Sequence, residues 1–131
     1  MTQIGQLYQT ADWKKEKHVP VLECPDVVKS GEVFALKVTV GKQDPHPNST
    51  EHHISWISVY FLGEGDKFSY EVGRFEFSAH GEAASGVNQG PVYAYPEVTA
   101  NLKVTKPGVL YAASECNIHG LWQSSKELRV S

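Results

Sequence analysis

Six histidines and two cysteines hold most of the chemistry available to this 131-residue chain. The histidines are His18, His46, His52, His53, His80 and His119, and three of them crowd the stretch from Gly41 to His53. His119 closes a Cys116-Asn117-Ile118-His119 step. A thiolate and an imidazole three residues apart can reach one metal ion from a tight turn. Taken singly, a histidine is more often a surface or satisfied core residue than a ligand; clustering in loops shifts that balance toward metal binding.

A structural zinc site wants a closed tetrahedron, commonly with paired cysteines, and only Cys116 lies near histidines here. One thiolate with several imidazoles fits a redox metal better. Blue copper takes two His, one Cys and a weak axial ligand; with Met1 as the only methionine, copper would have to use Gln123. Four imidazoles and a thiolate suit five-coordinate iron instead, with a sixth position open to a small oxidant. Residue types alone leave both readings standing, together with a third in which the histidines of a β-sandwich binding module are incidental. They also leave open whether His52 or His53 is the ligand, because strand neighbours point to opposite faces.

Short runs with a period of two must position these groups. Strands are predicted over Glu32–Val40, His53–Phe61, Phe68–Phe77, Val98–Val104, Val109–Glu115 and Lys126–Val130, with a shorter one at Val92–Tyr95. His53–Phe61 is apolar on both faces and reads as a central strand. In Phe68–Phe77 the alternation changes phase across Gly73, as one inserted bulge residue would cause. Helical periodicity is confined to Ile4, Leu7, Tyr8 and Ala11. These features predict an all-β fold, an immunoglobulin-like antiparallel β-sandwich with a short N-terminal helical segment, forming a single domain over residues 1–131. Gly41–Glu51 and Ser78–Pro91 are long unpatterned stretches, of the kind that are functional or mobile in compact domains.

Composition narrows the partners. With 12 Lys+Arg against 15 Asp+Glu the net charge is −3, which argues against a nucleic-acid or anionic-membrane binder. No apolar run approaches the roughly 18 residues of a membrane helix. The N-terminus lacks the basic-then-apolar order of a secretion signal. Two cysteines are too few for a disulfide framework, so a cytoplasmic location is the default expectation. Cys24 reads as a buried free thiol, His53 and His80 as structural or surface histidines, and Trp122 as a packing residue that shields the metal loop. Pro45 and Pro47 bracket His46 and stiffen its backbone.

Three motifs in order carry a resemblance: Glu16-Lys17-His18-Val19-Pro20, His46-Pro47-Asn48 followed by Glu51-His52-His53-Ile54, and Cys116-Asn117-Ile118-His119-Gly120-Leu121-Trp122. Together they closely resemble the single-iron superoxide reductases, or neelaredoxins, and are similar to the iron domain of desulfoferrodoxin. The resemblance implies one mononuclear non-haem iron held by His18, His46, His52 and His119, with Cys116 as the axial thiolate. It implies that Glu16 takes the sixth position in the oxidised state and that Lys17 stands beside the open site. On residue type alone Lys17 would be a solvated lysine of the run Lys14-Lys15-Glu16-Lys17. The implied activity is one-electron reduction of superoxide to hydrogen peroxide, with electrons from a rubredoxin-type donor and a homotetrameric assembly. The alternative is a cupredoxin-like electron carrier without substrate. Main-chain N–H groups of Ile118 or His119 are expected to moderate the sulfur by hydrogen bonding.

Overall fold

A computed structural model describes residues 1–131, in two facing sheets. The strands are β1 (Pro20–Glu23), β2 (Val27–Val28), β3 (Phe34–Val40), β4 (Ile54–Gly63), β5 (Tyr70–Glu76), β6 (Glu97–Leu102), β7 (Gly108–Cys116) and β8 (Gly120–Val130). One sheet runs β1-β3-β6 and the other β2-β8-β7-β4-β5. Pairing is antiparallel except between β2 and β8. This is the immunoglobulin-like sandwich that the sequence predicts, with the helical segment reduced to one exposed 3₁₀ turn at Ile4–Leu7.

Alternation explains the core. Leu36, Val38 and Val40 on β3 face Ile57 and Val59 on β4, Leu110 and Ala112 on β7, and Leu128 on β8. Leu36, Ile57, Leu110 and Leu128 are completely buried, and each contributes about 1.5–3 kcal/mol of transfer free energy. Cys116 belongs to this same cluster, at the end of β7. The sulfur is therefore both the last member of the core and the first atom of the site.

β4 is central, between β5 and β7, as expected. The phase change in β5 is a bulge: Val59 pairs with Gly73 but Tyr60 with Glu71, so Val72 is the extra residue. Two expectations need correction. Val92–Tyr95 forms no strand; it makes a single bridge, His80 to Tyr93, and lies between Pro91 and Pro96, which cannot donate to a ladder. The last strand begins at Gly120 rather than Lys126. Its first half, Leu121-Trp122-Gln123-Ser124-Ser125, lacks apolar alternation because Trp122 and Ser124 take the core-facing positions, where the Ser124 hydroxyl donates to the Pro20 carbonyl. β1 and β2 were not expected at all; both are short and lie either side of Cys24-Pro25.

Candidate metal centre

Three loops and one strand end meet at one end of the sandwich. The N-terminal segment is tied to β8 through Gln9, whose N–H donates to Leu121 O at 3.0 Å and whose carbonyl accepts from Gln123 N–H at 2.8 Å. The chain then turns on Asp12, which accepts from the N–H groups of Lys15 and Glu16, and delivers His18 just before β1. Gly41, with φ of +86°, starts the second loop; a β-carbon there would collide with the main-chain nitrogen of His46. The third loop is the β7–β8 hairpin. Cys116 pairs with Gly120 across it, and Gly120 takes the left-handed conformation (φ +82°) that closes a three-residue hairpin loop.

The ligand atoms of His18, His52, Cys116 and His119 all lie within 4.8 Å of one another. His52 Nε2 is 3.2 Å from Cys116 Sγ, His119 Nδ1 is 3.7 Å from the same sulfur, and His18 Nε2 is 3.1 Å from His119 Nδ1. His46 stands at the edge of this group, its ring centroid 4.8 Å from that of His18 and 4.9 Å from that of His52. Its Nδ1–H donates to Pro47 O at 2.7 Å, and its buried Nε2 has no hydrogen-bond partner. A buried lone pair with nothing to accept is costly unless a cation takes it.

Neighbouring groups brace several of these residues from behind. His18 Nδ1–H donates to Glu16 Oε1 at 2.5 Å, which leaves Nε2 facing the cluster, and its ring stacks on Trp122 at 5.1 Å and 17°. Trp122 Nε1–H donates to His119 O at 3.2 Å, so this residue both covers and braces the site. The main-chain N–H of His119 donates to Cys116 Sγ at 3.3 Å, as expected of the tight turn. Asn117 clips the hairpin to the start of β4, accepting from His53 N–H at 2.8 Å and donating to Glu51 O at 2.9 Å.

Electrostatics agree with a cation site. Burial pushes the His46 imidazole down to about 4, and burial with the neighbouring charges of His119, His18 and Lys17 lowers His52. Both are neutral near pH 7, with lone pairs free for a metal. The hydrogen bond from His18 holds the Glu16 carboxyl below its ordinary range, so it stays ionised. Three or four imidazoles and one thiolate, buried on the sulfur side and exposed at His119, therefore form a donor set that fits a redox metal.

Of the residues singled out from the sequence, His18, His52, Cys116 and His119 converge, with His46 beside them. Lys17 lies between Glu16 and His18, and its charge is felt at His46 and His52. Glu16 is bonded to His18 here. Gln123 is on the outer face of β8, its side-chain Nε2–H donating to Tyr8 O at 3.5 Å, which removes the axial ligand the copper reading required. His53 turns the other way: its ring stacks on that of His80 at 3.4 Å and 7°, and its Nδ1–H donates to Ser49 O. Cys24 is half-buried and free. The roles of Asn117 and of the Glu16–His18 bond were not read from the sequence, although both lie within the recognised motifs.

The chain matches the desulfoferrodoxin family over residues 10–125 and belongs to that family. It is 62% identical over 124 residues to neelaredoxin of Megalodesulfovibrio gigas, covering 95% of each chain. It is 52% identical over 125 residues to superoxide reductase of Pyrococcus furiosus, covering 95% of this chain and 98% of that one. The reduced superoxide reductase (neelaredoxin) of Archaeoglobus fulgidus superposes with a TM-score of 0.88 at 54% identity, over 94% of this chain and 98% of that one.

Proposed function

We propose that this chain is a superoxide reductase, an oxidoreductase that reduces superoxide to hydrogen peroxide by one electron. The observation that carries the reading is the convergence of His18, His52, Cys116 and His119 within 4.8 Å from separate parts of the chain. We assign the metal as one iron, held by His18, His46, His52, His119 and Cys116. Iron there supplies a single reversible electron, tuned by thiolate donation. The ring of His46, 4.8 Å from that of His18 and 4.9 Å from that of His52, supports a fourth imidazole, and the place of Gln123 away from the site speaks against copper.

The protein's own groups do the rest. Superoxide is an anion and the chain is net acidic, so a local cation must attract it; Lys17 is that cation. Main-chain donation from His119 withdraws charge from the sulfur, which would moderate its donation to a bound iron. Exposure at His119 lets water deliver protons. Glu16, now engaged with His18, is the carboxylate that would cap the site after turnover, and that requires the Glu16–His18 pair to part.

The electron donor is assigned as a rubredoxin-type protein and the location as cytoplasmic, a reducing compartment in keeping with two free thiols. No helix is long and apolar enough to cross a membrane. A homotetramer is supported by β5, where Phe68, Tyr70 and Phe75 along and beside the strand are 64%, 67% and 54% exposed; an uncovered apolar edge strand of this kind favours a partner copy. The deciding experiment is anaerobic titration of the metal-free protein with ferrous iron, followed by rapid mixing with superoxide. One iron per chain and second-order oxidation with peroxide as product are expected. No iron uptake, or no consumption of superoxide by the loaded protein, overturns the reading.

A further inference from the structure

The turn Ser49–His53 carries His52, and it is fastened from outside by the long loop Ser78–Pro91. Within the turn, Ser49 N–H donates to His52 O at 2.9 Å and His52 N–H to Ser49 Oγ at 3.2 Å. These bonds fix its shape but not its place. Asn88 ties it down, spending its whole side-chain amide and its main-chain N–H on it. Thr50 N–H donates to Asn88 Oδ1 at 2.8 Å, and Asn88 Nδ2 donates to both oxygens of Glu51 at 2.8 and 3.0 Å. Asn88 N–H donates to Thr50 Oγ1 at 3.2 Å, and that hydroxyl in turn donates to His80 O at 2.7 Å. Asn88 is the one non-glycine residue with positive φ, at 58°. Asparagine tolerates the left-handed region better than most side chains, and such conformations persist where the surroundings over-determine them.

We infer that Asn88 is a positioning residue for the metal centre: by holding Thr50 and Glu51 it sets where His52 stands relative to Cys116, whose sulfur is 3.2 Å from His52 Nε2. This deepens the metal reading above and rests on it. None of its hydrogen bonds reaches a ligand side chain, so it acts through the turn. Asn117 and the His53–His80 stack hold the turn on other sides, which makes loss of Asn88 a loosening rather than a collapse. A looser turn lets His52 leave the metal more often, because ligand groups held by fewer supports lose affinity.

Asn88→Gly tests this cleanly, because glycine keeps the positive φ without strain while deleting the side chain. Wild type and variant are loaded anaerobically with ferrous iron and challenged with a chelator. The expected result is iron release about tenfold faster than wild type, the low end of what lost outer-shell partners cost, with a shifted sulfur-to-metal absorption band in the oxidised protein. Asn88→Asp keeps the acceptor for Thr50 N–H but sets a carboxylate against Glu51, and should fall between the two. Release within about twofold of wild type with an unshifted band overturns the inference, even if the melting temperature drops. Should Asn88→Gly fail to fold, Glu51→Ala removes only the Nδ2 half of the clasp and must still accelerate release; unchanged release there overturns it equally. A wild-type protein that takes up no iron refutes the metal reading itself, whereas a loaded wild type indistinguishable from its variants refutes only the role of Asn88.

Discussion

His52 and His53 are adjacent in the chain, yet their rings keep opposite company. His52 joins His18, His46 and His119 around a buried sulfur, with lone pairs facing one another and the charge of Lys17 close by. His53 lies flat against His80, whose own Nδ1 is 3.4 Å from the Glu82 carboxylate. In the first group His18 and His46 donate outward from their far ring nitrogens, to Glu16 and to Pro47 O, and the inner nitrogens of His18, His52 and His119 face one another or the sulfur. In the second, His53 spends Nδ1 on Ser49 O to close a turn, and its ring serves as a packing surface. Burial does not separate the groups, since His80 is 4% exposed and His18 7%. What separates them is where the inner lone pairs point and which charge stands nearby.

The largest test of that contrast removes a donor. Cys116→Ser should abolish the sulfur-to-metal charge-transfer band outright, and an unchanged visible spectrum would remove the sulfur from the proposed ligand set. His52→Ala should weaken iron binding by at least about 100-fold, beyond the range reached by losing an outer-shell partner. His53→Ala in the same titration should keep one iron per chain. If the two alanine variants traded results, the assignment of the strand neighbours would be reversed.

Next in size is the lysine charge beside the cluster, where the stack has a carboxylate instead. Lys17→Ala should slow second-order oxidation by superoxide about tenfold in stopped flow, with iron retained and a weaker dependence on salt, because the field that draws the anion is reduced. Equal rates at low ionic strength would remove Lys17 from the reaction. Smaller again is the worth of the stack: His53→Ala should cost roughly 1 kcal/mol in denaturant unfolding, the scale of one aromatic pair. A loss of several kcal/mol would mean that the ring does more than pack.

The same contrast marks what a sequence can reveal. Alternation exposed β3 and β6, whose inner positions are apolar, an apolar run on both faces exposed the central β4, and the phase change at Gly73 pointed to the bulge at Val72. The first half of β8 was hidden, since its inward positions are Trp122 and Ser124, which serve the site and the β1 contact rather than an apolar core. At the centre, the ligand residues were legible as motifs, but the choice between His52 and His53 came from resemblance to a family, not from spacing. The partners that orient the ligands were less visible. Asn88 sits in a glycine- and polar-rich loop with no local signal, because its value depends on a turn 38 residues away.

The smallest expected effect concerns Glu16, and it sharpens what counts as a ligand in this cluster. Its carboxylate accepts from His18 Nδ1–H at 2.5 Å and from His18 N–H at 3.1 Å, so in this structure it works on the ring from behind. A group in that place sets a tautomer; it does not obstruct the exposed side by His119 through which a small anion arrives. Glu16→Ala should therefore leave the superoxide rate within about twofold of wild type, because packing on Trp122 still fixes the His18 ring. The oxidised protein should change more visibly: if Glu16 swings from His18 to cap the metal after turnover, its removal leaves that position to water or hydroxide and alters the ferric spectrum and its pH dependence. A variant with both an unchanged rate and an unchanged oxidised spectrum would confine Glu16 to the role of orienting His18, whereas a large loss of rate would place it in the reducing step itself.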